Sequence, residues 1–392
     1  MSYTLTNARI VLENEIVHGS VRVADGRITE VSAVARPSAD GTVHEDLGED
    51  YLLPGLVELH TDQVEGHLQP RPQRFWDPIP AVIAHDAQMA ASGMTTVLDA
   101  LRIGSGPGEN RLAGRARVLM DAVVHAAEAG LLRADHHVHL RCEVATPDVV
   151  EVFDDIGGHE RVRLISLMDH TPGQRQYADV EAFRTYMVGK HSFTNEQFDQ
   201  HVEALHQYSS QFSADNRRLM VERATARGIT IAAHDDATQA HIDESAAAGV
   251  RISEFPTTIE AARAARAAGQ LVVMGAPNII RGGSHSGNVA ATELLRLGLL
   301  DVLSSDYVPS SLLNAVFHLF HSGDVTLPQG VALVSANAAR AAGFDDRGVI
   351  AAGTRADLVR VHAYAGASAE QHPLGSALPI VRGVWREGTR VA

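Results

Sequence analysis

Residues 52–60 read LLPGLVELH and are followed by Thr61-Asp62. A Pro-Gly break opens a short apolar run, and the run closes on His-Thr-Asp. It is too short for an ordinary helix and reads as a buried parallel strand. Seven further runs repeat the plan: TTVLDAL (95–101), HHVHLRCEV (136–144), VRLISLMDH (162–170), GITIAAHDD (228–236), GVRISEFP (249–256), QLVVMGAPN (270–278) and LLDVLSSDY (299–307). Between them lie helical patterns such as AVIAHDAQMAASG (81–93), RARVLMDAVVHAAEAG (115–130) and IEAARAARAAG (259–269). Eight β–α alternations in roughly 290 residues predict an α/β fold, a (β/α)8 TIM-type barrel. A doubly wound open sheet competes less well, because no glycine fingerprint follows the first strand.

Both chain ends differ from this middle. TLTNARIVL, EIVHGSVRVADG and RITEVSAV at the start, and GVIAAGTRADLVRVHA and PIVRGVWREGTRVA at the end, are β-branched with turn punctuation. The expectation is a small composite β-sandwich from residues 1–52 and 344–392, with the barrel over 53–343. One connection, at about 172–228, is long and carries helical patches, the style of a lid or substrate-binding excursion.

The chain has 392 residues, 33 Lys and Arg against 48 Asp and Glu, and a formal net charge of −15. That balance argues against a nucleic-acid partner, which asks for a basic face. No run of ~18 apolar residues occurs, so no membrane partner is expected. The opening MSYTLTNARIVLENE lacks a basic-then-apolar leader pattern, which makes a cytoplasmic location the expectation. A single cysteine, Cys142, excludes an intramolecular disulfide and a zinc ribbon. A homo-oligomer is left open. Histidine is abundant, with 21 residues, whereas lysine occurs once, at Lys190.

The polar residues that close the runs point to a metal. His60 and Asp62 close the first, Glu143 the third, Asp169-His170 the fourth, His234-Asp235-Asp236 the fifth, Glu254 the sixth and Asp306 the eighth. In a barrel these positions face the mouth where chemistry is done. Strand alternation turns His60 and Asp62 to one face and Thr61 to the other. Imidazole and carboxylate donors together suit one or two divalent ions, zinc first, with manganese or iron behind it. The bland alternatives are helix N-caps for Asp62 and Asp236, and a hydrogen-bonded core histidine for His139.

The stretch Leu53–Asp62 resembles the opening of the amidohydrolase superfamily, whose members flank a metal-bearing barrel with a β-sandwich built from both chain ends. His-x-Asp stands where that superfamily usually has His-x-His. PRP (70–72), SLMDHTPGQRQ (166–176), AHDDAT (233–238), EFPTT (254–258), MGAPNIIRGGSHSGN (274–288) and LSSDY (303–307) narrow the match. Together they are similar to the PhnM family, the α-D-ribose 1-methylphosphonate 5-triphosphate diphosphatases of phosphonate utilisation, in which His-x-Asp belongs. The resemblance covers essentially the whole chain. It implies hydrolysis of an anionic sugar triphosphate to the 5-phosphate and pyrophosphate. It also implies a metal set of His60, Asp62, Glu143, His170, His234 and Asp306. Asp306 would orient the attacking water and carry its proton.

A polyanion also needs local cations. Arg281, with His285, Ser286 and Asn288 in the glycine-rich stretch after the seventh run, reads as a phosphate cradle. Arg175 and Arg71, in loops after the fourth and first runs, are further candidates, since a guanidinium suits phosphate. Many binuclear amidohydrolases bridge their ions with a carboxylated lysine at a strand end. No run here ends in lysine, so that role falls to a carboxylate, Glu143 first and Glu254 second. A metal-dependent deaminase or cyclic amide hydrolase is the alternative reading. A non-enzymatic relative ranks third, because it should have lost the strand-end ligands.

Overall fold

The computed structural model describes residues 2–34, 43–72, 74–107, 112–173, 175, 181, 183–184, 194–284, 287–364 and 378–392. The chain begins with β1 (Ser2–Val11), β2 (Ile16–Ala24), β3 (Arg27–Ser32), β4 (Val43–Asp46) and β5 (Tyr51–Pro54). Asp25 and Gly26 join β2 to β3 with φ of 49° and 78°. Two successive left-handed residues make the tight hairpin turn that the Asp-Gly pair predicts. At the other end come β14 (Leu358–Tyr364), β15 (Leu378–Arg386) and β16 (Thr389–Arg390). All eight form one connected sheet in the order β16-β15-β14-β5-β1-β2-β3, with β4 beside β1. The joint between the chain ends is the antiparallel pair β14–β5, with Leu358 opposite Pro54. Leu5, Ile10, Val21, Ile28, Leu52, Leu358 and Trp385 pack in its core.

The barrel strands are β6 (Leu56–Thr61), β7 (Met94–Ile103), β8 (Asp135–Glu143), β9 (Val162–Met168), β10 (Thr230–His234), β11 (Ile252–Glu254), β12 (Leu271–Gly275) and β13 (Val302–Ser304). They form an eight-stranded sheet in sequence order, and a parallel bridge between Thr61 and Asp306 joins its first and last members. The protein is therefore a (β/α)8 barrel with a separate sheet built from the termini. Gly55 is required where β5 turns into β6. A Cβ there would lie 2.1 Å from Thr95 Oγ1, and the Gly55 N–H donates to the Asp357 carbonyl at 2.8 Å. The Pro-Gly break thus seats the strand that carries His60.

Chain contacts divide the molecule into two compact units: Met1–Asp99 with His125–His137 and Val302–Ala392, and Ala100–Val124 with Val138–Asp301. In the first, the helix Pro78–Ala91 begins on an Asp77 side chain that accepts from Ile79 N at 3.1 Å, with proline at its start. In the second, Thr238 and Thr258 cap the helices Gln239–Ala247 and Ile259–Ala267 in the same way. The described part of the long connection is a helix, Asn195–Tyr208, opened by a Thr194/Gln197 capping box. It runs through a π-helical turn at Ser209–Ser213 into Ala214–Ala226. Ser213 Oγ ties this segment to Asp169 at 2.7 Å. Among the described residues no helix is long and apolar enough to cross a membrane.

Candidate active site

In the first unit the strand ends bring His60, Asp62 and Asp306 together, with one ligand atom of each within 4.8 Å of the others. His60 Nε2 lies 3.3 Å from Asp62 Oδ1, as the alternation of β6 predicts. Asp62 stands at the start of the helix Gln63–Leu68 and makes no side-chain capping bond to it. The backbone fixes the set. Asp306 N–H donates to the His60 carbonyl at 3.0 Å, and Asp62 N–H donates to the Asp306 carbonyl at 3.2 Å. Behind His60, the buried Glu58 carboxylate accepts from His60 N–H and Ser305 N–H, each at 2.7 Å. Burial pushes the Glu58 carboxyl up to about 7, against the pull of those donors.

In the second unit His170, His234 and Asp235 form another set of ligand atoms within 4.8 Å. Each histidine is held through its Nδ1: His170 by Glu143 Oε2 at 2.5 Å and His234 by Glu254 Oε2 at 2.6 Å. A carboxylate on one ring nitrogen, leaving the other to face outward, is the arrangement that orients a metal-binding imidazole. Both Nε2 atoms approach Asp235 Oδ2, at 3.3 Å from His234 and 3.9 Å from His170. That oxygen is buried and has no hydrogen-bond partner among the described residues. An orphaned carboxylate oxygen facing two imidazoles fits a divalent cation. The residues present therefore suit the metal that the sequence implies.

Glu143 is placed differently from the free bridging carboxylate expected. One oxygen accepts from the His170 ring and the other from His170 N–H at 3.1 Å, while Arg102 lies 4.0 Å away. Burial pushes its carboxyl up, but the His170 charge and hydrogen bonds outweigh this and hold it at about 2. His139 is a core histidine, bonded to Ser166 Oγ at 2.5 Å, and Ser166 in turn donates to Glu254 at 2.6 Å.

The candidate phosphate contacts divide. Arg281 is exposed at the end of a short helix, Ala276–Arg281, which Gly282 terminates with φ of 76°. Asn288 is half-buried and follows Gly287, another left-handed glycine. Arg71 is exposed. Arg175 is a different case from the open loop cation expected. It is buried and ion-paired with Asp236, with Glu244 3.5 Å away, so its charge is already committed. The same pair accounts for Asp236, which is no N-cap. His285, Ser286 and Lys190 lie outside the described residues.

Sequence reading noted Asp235 as a run end but left it out of the metal set, and did not single out Glu58. Glu58 carried a signal: a carboxylate inside an otherwise apolar run, on the same face as His60. Asp235 carried none in its pattern, because its role depends on backbone conformation. It follows β10 with φ of 58°, and Asp306 follows β13 with φ of 55°. Left-handed aspartate at a strand end stores strain of order 1–2 kcal/mol, a cost found mainly at functional positions.

Comparison with known proteins agrees with this geometry. The amidohydrolase family model matches residues 175–392. Alpha-D-ribose 1-methylphosphonate 5-triphosphate diphosphatase of Escherichia coli (strain K12) is 46% identical over 390 residues, covering 99% of both chains. Among solved structures, dihydropyrimidinase from Brevibacillus agri NCHU1002 superposes with a TM-score of 0.64 at 14% identity, covering 100% of this chain and 95% of that one. N-acetyl-D-glucosamine-6-phosphate deacetylase from Mycobacterium smegmatis gives 0.64 at 17% identity, covering 100% of both chains. At such identities the two structures speak for the fold alone. The full-length match and the His-x-Asp strand end carry the assignment further: the chain belongs to the amidohydrolase superfamily and, within it, to the family of the ribose 1-methylphosphonate 5-triphosphate diphosphatase.

Proposed function

We propose that this enzyme hydrolyses the 5-triphosphate of α-D-ribose 1-methylphosphonate 5-triphosphate, releasing pyrophosphate and leaving the 5-phosphate. The observation that carries the reading is the 46% identity over 99% of the chain to a protein of that name. The two His/Asp sets are its chemical support. His60, Asp62 and Asp306, and His170 and His234 with Asp235 or Glu143, would hold divalent ions, which would supply a water of lowered pKa and a Lewis acid for a phosphoryl oxygen. Asp306 orients the attacking water and takes its proton, as a half-buried carboxylate at the end of the last barrel strand can. Arg281 and Asn288 contribute donors for the triphosphate, with His285 and Ser286 in the same glycine-rich stretch, and Arg71 is a further cation for the anionic substrate. Zinc is the metal this reading expects, and the cytoplasm its location.

Purified protein loaded with zinc, manganese or iron is assayed for pyrophosphate, orthophosphate and ammonia. The expected outcome is stoichiometric pyrophosphate from the sugar triphosphate, abolished by a chelator and restored by metal. Orthophosphate without pyrophosphate overturns the reading. Ammonia from a purine or ring opening of a cyclic amide replaces it with the alternative amidohydrolase chemistry.

A further inference from the structure

The segment between Pro70 and Asp77, PRPQRFWD, follows the helix Gln63–Leu68, and its described residues present their side chains to solvent. Phe75 is 52% exposed and Trp76 is 63% exposed. Tyr307, directly after Asp306, is 41% exposed. Of the four large aromatics most exposed among the described residues, three stand on these two loops; the fourth is Tyr364. Side chains of this size are normally turned inward, and a group of them left outside marks a surface with an occupant.

Each loop is tied to the helix Gln63–Leu68, which follows Asp62. Gln63 Nε2 donates to the Tyr307 carbonyl. Trp76 N–H donates to the Leu68 carbonyl at 2.8 Å, and Arg74 N–H donates to the Arg71 carbonyl at 3.0 Å, a tight turn that sets out both guanidiniums. Several arginines elsewhere in this acidic chain are engaged: Arg117, Arg223, Arg266, Arg347 and Arg355 each pair with a carboxylate. Arg71 and Arg74 have no ion-pair partner among the described residues, and the neighbouring Asp77 is occupied in capping its helix.

We infer that Arg71, Arg74, Phe75, Trp76 and Tyr307 form the subsite for the sugar methylphosphonate end of the substrate, leaving the triphosphate to the metal set and the Arg281 stretch. The inference rests on the diphosphatase reading. A triphosphate offers only charge. The other end offers the C–H face of a ribose, an apolar methyl group and an anionic phosphonate. Aromatic rings cover the first two, and a planar guanidinium pairs with the third. This chemistry matches exposed aromatics interleaved with unpaired arginines.

The test compares the sugar triphosphate bearing the 1-methylphosphonate with ribose 5-triphosphate lacking it. Arg74→Ala and Trp76→Ala should each raise KM for the first by about tenfold, the scale of one lost charge-assisted or stacking contact. KM for the second should change less than twofold in Arg74→Ala. Binding is read separately by tryptophan fluorescence, since the other tryptophan, Trp385, is buried in the terminal sheet. Ribose 1-methylphosphonate 5-phosphate should quench the emission of the wild type but not of Trp76→Phe, and tripolyphosphate should leave both unchanged. Wild-type enzyme that releases no pyrophosphate from either compound overturns the diphosphatase reading and the subsite with it. Wild-type activity with unshifted KM in the variants overturns the subsite alone. So does Trp76→Ala dissociating an oligomer while KM holds, which would make this surface a contact between copies.

Discussion

Two groups of histidine and aspartate in the first unit are built from the same side chains. One is His60, Asp62 and Asp306 at the end of β6 and β13; the other is His85, Asp99 and His136, between the helix Pro78–Ala91 and strands β7 and β8. In both, ligand atoms lie within 4.8 Å of one another, so distance alone does not separate them. Partners and exposure do. Asp99 is fully buried and spends both oxygens on histidines, His85 Nε2 at 2.7 Å and His136 Nδ1 at 2.8 Å. His136 Nε2 reaches Asp86 at 3.3 Å, and Asp86 accepts in turn from Arg133 N and Ala134 N, each at 2.9 Å, and from the Arg133 side chain at 3.1 Å. Burial pulls His136 down, but Asp99 and Asp86 outweigh it and raise it to about 10, while burial keeps His85 below its usual range. Two carboxylates thus face one protonated imidazole and one guanidinium. That group is neutral within itself and both its carboxylates are committed, which leaves only the buried His85 Nδ1 without a hydrogen-bond partner among the described residues. The strand-end group has two carboxylates against one histidine, and Asp62 is 34% exposed. Excess negative charge with a route to solvent, rather than composition, makes a metal site.

The largest expected effect falls on the closed group. Asp99→Asn leaves a protonated His136 buried beside an amide, and removing one partner of a buried pair costs about 3–5 kcal/mol. Chemical unfolding should show a loss of that size, with metal content per folded molecule unchanged. The pH dependence sharpens the point. His136 binds its proton more tightly in the folded chain than in the unfolded one. Its contribution is therefore complete below the unfolded value of ~6.5, declines as pH climbs, and is gone above about 10. Wild-type stability should fall across that interval, and Asp99→Asn should flatten the fall. Loss of bound metal with stability intact would show that the closed group is the metal site after all.

Asp306→Asn probes the open group. It keeps the shape and the backbone bonds to His60 and Asp62, so the fold should survive. Turnover should drop by about 10²-fold or more, the usual contribution of a positioned proton acceptor. Metal analysis of the same sample decides the role: full metal with slow turnover makes Asp306 the base, and lost metal makes it primarily a ligand. Unchanged activity would remove it from the mechanism.

The contrast between the groups also shows what a sequence discloses. Eight apolar runs, six of them closed by a histidine or carboxylate, disclosed the barrel and the residues at its strand ends, because burial and strand period are local properties. The open group was legible for the same reason: His60, Asp62 and Asp306 stand directly at run ends. The closed group was not, because His85 sits in a helix pattern and Asp99 inside TTVLDAL, and only packing brings them to His136. Arg175 misled in the opposite sense. Its loop looks solvated in sequence, and the ion pair to Asp236, 61 positions away, buries it. Asp235 was hidden by conformation, since nothing in AHDDAT says which aspartate takes the left-handed turn.

The smallest expected effect concerns the chain's one lysine. A binuclear centre whose own side chains fall short of bridging charge recruits a carboxylated lysine, and such a lysine has to stand at a strand end. Here the strand ends already supply carboxylates in excess of histidines: Asp62 and Asp306 in one unit, Glu143, Asp235 and Glu254 in the other. Lys190 follows β9 only after Asp169, His170 and a stretch that continues well past them in sequence. Lys190→Ala should therefore retain the full metal complement by elemental analysis and change kcat/KM by less than twofold. Glu143→Gln, measured beside it, should lose metal and activity, because it removes the negative charge that faces His170. If Lys190→Ala instead loses one equivalent of metal while Glu143→Gln keeps its complement, the bridging charge comes from the lysine, and the excess of strand-end carboxylates is not what holds the ions.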